Sequence, residues 1–131
     1  MSRDSLQKIK SKLSQYPAIK YEEKEDSITI LPFSETGFPV TFTAGKNYFM
    51  VSFKGWHEEF LNEEEALNCA MFGLSDQCRL KVFSAGRFEY KWIVEHKRDN
   101  AWTDESETGL LLFPFWKRKN VKYYQNNHFQ N

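Results

Sequence analysis

Apolar and polar residues alternate along most of this chain and switch to helical spacing twice. The longest alternation is "RFEYKWIVEHK" at 87–97, where Phe88, Tyr90, Trp92, Val94 and His96 share one face and Arg87, Glu89, Lys91, Glu95 and Lys97 share the other. Successive strand side chains point to opposite faces, so this run predicts a long, half-buried strand. "CRLKVF" at 78–83 precedes it across the turn residues "SAG". Earlier, "SITIL" (27–31), "VTFTA" (40–44) and "YFMVSF" (48–53) alternate in the same way, and Gly45-Lys46-Asn47 closes the last two into a hairpin. "SETGFP" before them reads as a loop from its Gly and Pro. "DN" at 99–100 can turn the chain into "AWT" (101–103), and "GLLLF" and "VKYY" read as further strands.

The helical spacings lie at about 3–15 and 62–74. In the first, Leu6, Ile9, Leu13 and Tyr16 form a narrow apolar stripe, Asp4 and Ser5 sit near the start, and Pro17 stops it. In the second, Asn62 is a natural N-cap with Glu65 three residues on. Glu63 and Glu64 suit the positive end of the helix dipole, and Leu67, Ala70, Met71 and Leu74 are the expected buried stripe.

Strand runs joined by short turns predict an antiparallel sheet, and amphipathic helices must cover one of its faces. The expected fold is α+β: two layers, a mainly antiparallel sheet of about 6–8 strands, and two helices on one face. The chain reads as a single globular domain over 1–131. The polar tail "QNNHFQN" places 126–131 as a fraying end. The order helix, three strands, helix, two strands over residues 1–98 is similar to that of the small secretion-chaperone domains. That likeness in element order implies a domain that binds partner polypeptides as a dimer. The neutral charge balance and the strand-rich C-terminal third depart from it.

"LLLFPFWKRK" at 110–119 is the most unusual stretch, an apolar and aromatic run that stops at three cations. It is too short to span a bilayer, and Pro114 ends any helix or central strand. The expected reading is a buried strand from Leu110 to Phe113 with Lys117–Lys119 solvated. Interfacial membrane contact is set aside on that reading. Whether Phe115 and Trp116 close the core or face a partner stays open.

Composition adds one positive signal. Aromatics make up 17% of the residues, so either the core or a binding surface is rich in rings. Net charge is zero, with 18 bases and 18 acids, which argues against a dedicated nucleic-acid binder and predicts poor solubility near neutrality unless charges are well dispersed. The charges fall in blocks: residues 1–16 and 79–98 are basic, 62–78 and 99–107 acidic, and 117–122 basic again. Neighbouring blocks of opposite sign are expected to meet across paired elements. On the long strand the rings and the charges take opposite faces, so no nucleic acid is expected.

No local motif of catalysis is present. There is no Cys-x-x-Cys, phosphate loop, dinucleotide fingerprint or Gly-flanked serine nucleophile. "GWHEEF" at 55–60 is the best enzyme-like stretch. His57 and Glu59 can share a side of a strand and could act as a base with its orienting carboxylate, joined by His96. The simpler reading is a strand end or loop leading into the second helix, with Trp56 and Phe60 packing beneath it. No metal site is expected, because the three histidines have no ligand spacing to one another or to Cys69 and Cys78. No cofactor is expected. The first ten residues hold no apolar core of signal-peptide length and no run approaches a membrane span, so a reducing cytoplasm with two free thiols is expected.

These observations point to a small soluble binding or protein-interaction module, leaning away from an enzyme. Its surface would be formed by Trp56, Trp102, Phe115 and Trp116, with a protein partner or a homodimer contact. The alternative is a small-ligand pocket or hydrolase built on His57, Glu59 and His96.

Overall fold

The structure, a computed structural model, describes residues 2–128. Among them the chain forms helix α1 (Ser2–Leu13), strands β1 (Tyr21–Glu23), β2 (Ser27–Ile30), β3 (Val40–Ala44), β4 (Phe49–Phe53) and β5 (Trp56–Phe60), helix α2 (Glu63–Leu74), and strands β6 (Cys78–Ala85), β7 (Phe88–Arg98), β8 (Ala101–Gly109) and β9 (Lys119–Gln125). This is an α+β fold with a mainly sheet core. The strands make two antiparallel sheets: a five-stranded one in the order β1-β2-β3-β4-β5, and a four-stranded one in the order β8-β7-β6-β9.

The five-stranded sheet follows from its period-two pattern. Ile28, Ile30, Val40, Phe42, Ala44, Val51 and Phe53 all point inward and are buried, while Thr29, Thr41 and Ser52 take the other face. Helices α1 and α2 cover the inward face. Leu6, Ile9 and Leu13 of α1 and Ala66, Ala70 and Leu74 of α2 complete the core. Asn62 caps α2 as expected, its side chain accepting from the Glu65 amide at 2.9 Å. Two of the charge blocks meet where α1 crosses α2. Lys8 pairs with Glu63 at 2.7 Å, and the buried Ser5 hydroxyl donates to the same carboxylate. Those two hydrogen bonds, Lys8's first, hold the Glu63 carboxyl below the usual carboxylate range.

The four-stranded sheet is a meander closed by its last strand. β6 and β7 pair through the turn at Gly86, whose φ of 63° suits a residue without a Cβ. β7 and β8 pair through Asp99 and Asn100, both left-handed, as a two-residue hairpin requires. β9 then returns to the far side of β6. The two sheets meet where β5 lies beside β7 and β8. Side chains make this seam. The Trp56 indole donates to Ser106 Oγ at 3.1 Å, and the His57 amide donates to Thr108 Oγ1 at 3.4 Å.

Four expectations are corrected. The α+β class with two helices over antiparallel sheet holds as expected, but the strand count does not: about 6–8 strands become nine in two sheets, because the long crossover through α2 lets the second half of the chain pair within itself. β5 covers "GWHEEF" as a full strand in register with β4, from Phe53↔Trp56 to Phe49↔Phe60. Leu110–Phe113 is not a buried strand: β8 ends at Gly109, and residues 110–118 form a loop with Leu111 and Leu112 in solvent. The reason is topological. β8 and β9 occupy opposite edges of their sheet, so the connection must cross its end rather than join it. The fraying tail is corrected at Asn126 and His128, which are buried; residues 129–131 lie outside the described residues. The Asn126 amide accepts from Phe38 N and donates to Phe38 O and Gly73 O, tying the end of the chain to both a loop and α2.

Candidate functional site

Residues 110–118 form a strap over the hairpin end of β6 and β7. Three fixings hold it. The Leu110 amide donates to Tyr90 O at 2.8 Å, where β8 leaves the sheet, and the Gly86 amide donates to Arg118 O at 2.7 Å, where β9 begins. Between them Phe113 stacks on Tyr90, ring centroids 3.9 Å apart and planes 4° from parallel. A turn follows, with the Phe115 amide donating to Phe113 O and the Lys117 amide to Pro114 O. Lys117 lies along the β6–β7 turn, where any side chain at Gly86 would meet its stem.

Pinning the strap in this way turns its other side chains outward. Leu111 is 97% exposed, Leu112 87%, Phe115 68% and Trp116 73%. Phe115 and Trp116 pack edge to face, with centroids 5.4 Å apart. The open question of the sequence is thereby answered: both rings face solvent. Phe88, which follows the β6–β7 turn, and Val121 of β9 are exposed as well. Around this apolar group stand Arg87, Lys117, Arg118 and Lys119, all exposed and free of ion pairs among the described residues. Glu89, the acid nearest in the hairpin, is already engaged by Lys54 at 3.4 Å and by the Trp92 indole at 3.2 Å.

The other ring candidates go elsewhere. Trp56 is only 2% exposed and stacks on Phe53 with centroids 4.6 Å apart, so it is a core ring and not part of an exposed surface. As the first residue of β5 it takes the inward face beneath α2. Trp102 is half-buried on the outer face of the four-stranded sheet, where the Arg79 guanidinium sits 4.6 Å from its ring and 4.2 Å from that of Tyr123. Arg79 also pairs with the buried Glu95 at 2.7 Å. Lys81 and Lys91 lie over Phe83 on the same face. Rings do interleave with cations here, supplied by β6, β8 and β9 rather than by β7. Arg79 and Lys81 share the Tyr123 ring, and Lys81 and Lys91 share that of Phe83, so these cations are already engaged by rings of their own face.

The three enzyme candidates are brought only partly together. A cleft of about 730 Å³ opens between β5, α2 and the β7–β8 edge, floored by Phe53, Trp56, Phe60 and Phe72 and rimmed by Glu58, Glu59, Glu65 and Glu105. Glu59 and His96 both line it. His57 does not; it is exposed, with Nδ1 3.3 Å from Gly55 O. The partner of His96 is Glu105 at 3.4 Å, and Glu105 also takes Arg98 at 2.9 Å. Sequence reasoning missed Glu105 and Arg98 as cleft residues, although the apposition of the acidic block 99–107 with the basic block 79–98 was the signal. A second hollow, about 660 Å³, lies by the C-terminal anchor between Phe33, Asp76, Arg79 and Asn126.

The thiols do not make a nucleophile. Burial, with the Glu58 charge adding to it, pushes Cys69 up to about 12, and burial raises Cys78 further still. Both are unpaired. Among the described residues no three His, Cys, Asp or Glu side chains gather into a group able to hold a metal ion, and no helix is long and apolar enough to cross a membrane. No protein-family model matches the chain, and neither a curated protein nor a solved structure matches it.

Proposed function

We propose that this chain is a small non-enzymatic binding module of the cytoplasm, and that its contact surface is the strap at 110–118. One observation carries the reading: Leu111, Leu112, Phe115 and Trp116 are held in water by a strap fixed at three points. Burying one such side chain is worth about 1.5–3 kcal/mol, so a contiguous group left exposed on an ordered loop is a surface for something else. Its fixings reduce the entropy lost when it is covered, as pre-organised contact loops do. A partner molecule, or a second copy of the chain, would recover that free energy.

The reading is tested by placing a photo-crosslinking amino acid at position 116 in cells, with position 64 on the exposed start of α2 as the control. Adducts from 116 and none from 64 are expected. Equal yields from the two positions, or none from 116, would sink the proposal.

A second reading has its own observation, the cleft that gathers Glu59, His96 and four aromatic rings. It would be a small-ligand pocket, and its four carboxylates against Arg98 suit an organic cation seated on the rings. Hydrolysis in this cleft would proceed without His57, which lies outside it. Titration with small ammonium ions should raise the melting temperature, and His96→Ala should abolish the rise. An unchanged melting temperature across the series removes this alternative.

A further inference from the structure

We infer that the strap docks on an anionic lipid bilayer surface, with Leu111, Leu112, Phe115 and Trp116 entering the interface and Arg87, Lys117, Arg118 and Lys119 meeting the headgroups. The inference rests on the reading of the strap as a contact surface and names what it contacts.

Charge and shape together select this occupant. Leu111, Leu112, Phe115 and Trp116 are exposed on a loop that crosses the end of a sheet and line no groove, so they suit a soft surface that they can enter. The two leucines are almost wholly exposed, and Trp116 beside them has the amphipathic ring that settles at headgroup depth. The four cations follow or flank the rings at the same end of the molecule and have no carboxylate partner among the described residues. An apolar tip within a basic collar is the combination that binds membranes bearing negative headgroups, each part adding to the other. The remaining occupants fit less well. A two-fold contact between copies would set this collar against itself. A nucleic acid would use the cations and leave Leu111 and Leu112 in water. The sequence argument against interfacial contact depended on burial of Leu110–Phe113, and Leu111 and Leu112 are exposed.

The full chain is mixed with unilamellar vesicles of phosphatidylcholine alone, or of phosphatidylcholine with phosphatidylglycerol. Bound protein is read by flotation and tryptophan emission. Flotation with the anionic vesicles is expected, falling as salt rises. The emission should shift to the blue, and Trp116→Phe should remove the shift, because Trp56 and Trp92 are already buried and Trp102 is half-buried beneath the Arg79 guanidinium. Leu111→Asp should weaken binding about tenfold or more, the loss expected when one leucine cannot leave water. Lys117→Glu with Lys119→Glu should weaken it with no change in melting temperature. Equal flotation with both vesicle types, or binding that survives Leu111→Asp, overturns the inference. A mass that rises with concentration in light scattering and is restored to the monomer by Leu111→Asp overturns it too, while leaving the strap a contact surface. A monomer that floats with neither vesicle and gives no adduct from position 116 removes both readings.

Discussion

The indole of Trp92 on β7 packs against the backbone of Gly55, in the turn between β4 and β5, so closely that a Cβ on Gly55 would fall 2.2 Å from Cζ2 and 2.3 Å from Cε2. This contact brings the two sheets together at their seam. Gly55→Ala must therefore displace a large ring or part the sheets. Overpacking of this kind costs about 1–3 kcal/mol. Urea unfolding should show that loss, whereas Gly109→Ala, whose nearest neighbours lie 3.8 Å away, should stay within about 0.5 kcal/mol of the parent. A Gly55→Ala protein as stable as the parent would show that the seam is loose.

Asn126 satisfies three buried backbone groups, Phe38 N, Phe38 O and Gly73 O, at 3.0, 2.9 and 2.9 Å. Asn126→Ala should cost about 3 kcal/mol, since each buried group left unpaired costs about 1–3 kcal/mol. Asn126→Asp keeps the shape but turns an oxygen toward the two carbonyls. It should be destabilised at neutral pH and recover in part as acid protonates the new carboxyl. The urea midpoints of both variants at two pH values check this.

His128 stands buried against Phe33, ring centroids 4.5 Å apart, and neither ring nitrogen has a hydrogen-bond partner among the described residues. Burial lowers its pKa from the usual 6.5. A base held neutral in the fold binds fewer protons than in the unfolded chain. Its contribution is therefore constant above pH 6.5 and is lost as pH falls from there toward the lower folded value. His128→Phe should lose less stability than the parent between pH 7.5 and pH 5.5, values that bracket the usual histidine range. Parallel pH profiles for the two proteins would place the His128 ring in water.

Cys69 and Cys78 should both resist thiol reagents in the folded state. At pH 8 a thiol raised to about 12 is ionised in only about one molecule in ten thousand, and Cys78 is also sterically enclosed. Denaturant should expose both at once. Rapid stoichiometric labelling of Cys78 in native buffer would contradict its burial.

The helices were legible because each carries a complete local code. Asn62 caps α2 and Pro17 follows α1, so the boundaries needed no tertiary information. The strands with one apolar face, β2 to β4 and β6 to β7, were legible for the same reason. β8 was seen only at "AWT", since "DESETG" has no apolar alternation. It is an edge strand held on one side, and one of its acids, Glu105, meets both Arg98 and His96. β1 is three exposed residues and leaves no pattern at all. The strap was misread because an apolar run looks the same whether it fills a core or leaves it. Strand order decides between those outcomes, and strand order depends on pairing across α2. Trp56 was expected on a surface from the excess of rings, whereas the simpler reading of "GWHEEF", with Trp56 packed beneath it, is the one its burial matches.

The strap also bears on how such a molecule can change. It joins two edges of a sheet that β6, β7 and their partners hold in place, and only Phe113 among its large side chains rests on another ring of that sheet. Lengthening a loop of this kind is cheap, about 0.6 kcal/mol for a doubling. Selection can therefore rewrite the residues between Leu110 and Arg118 while the sheet stays as it is, so one scaffold can be re-addressed to a different surface by drift in a single short segment.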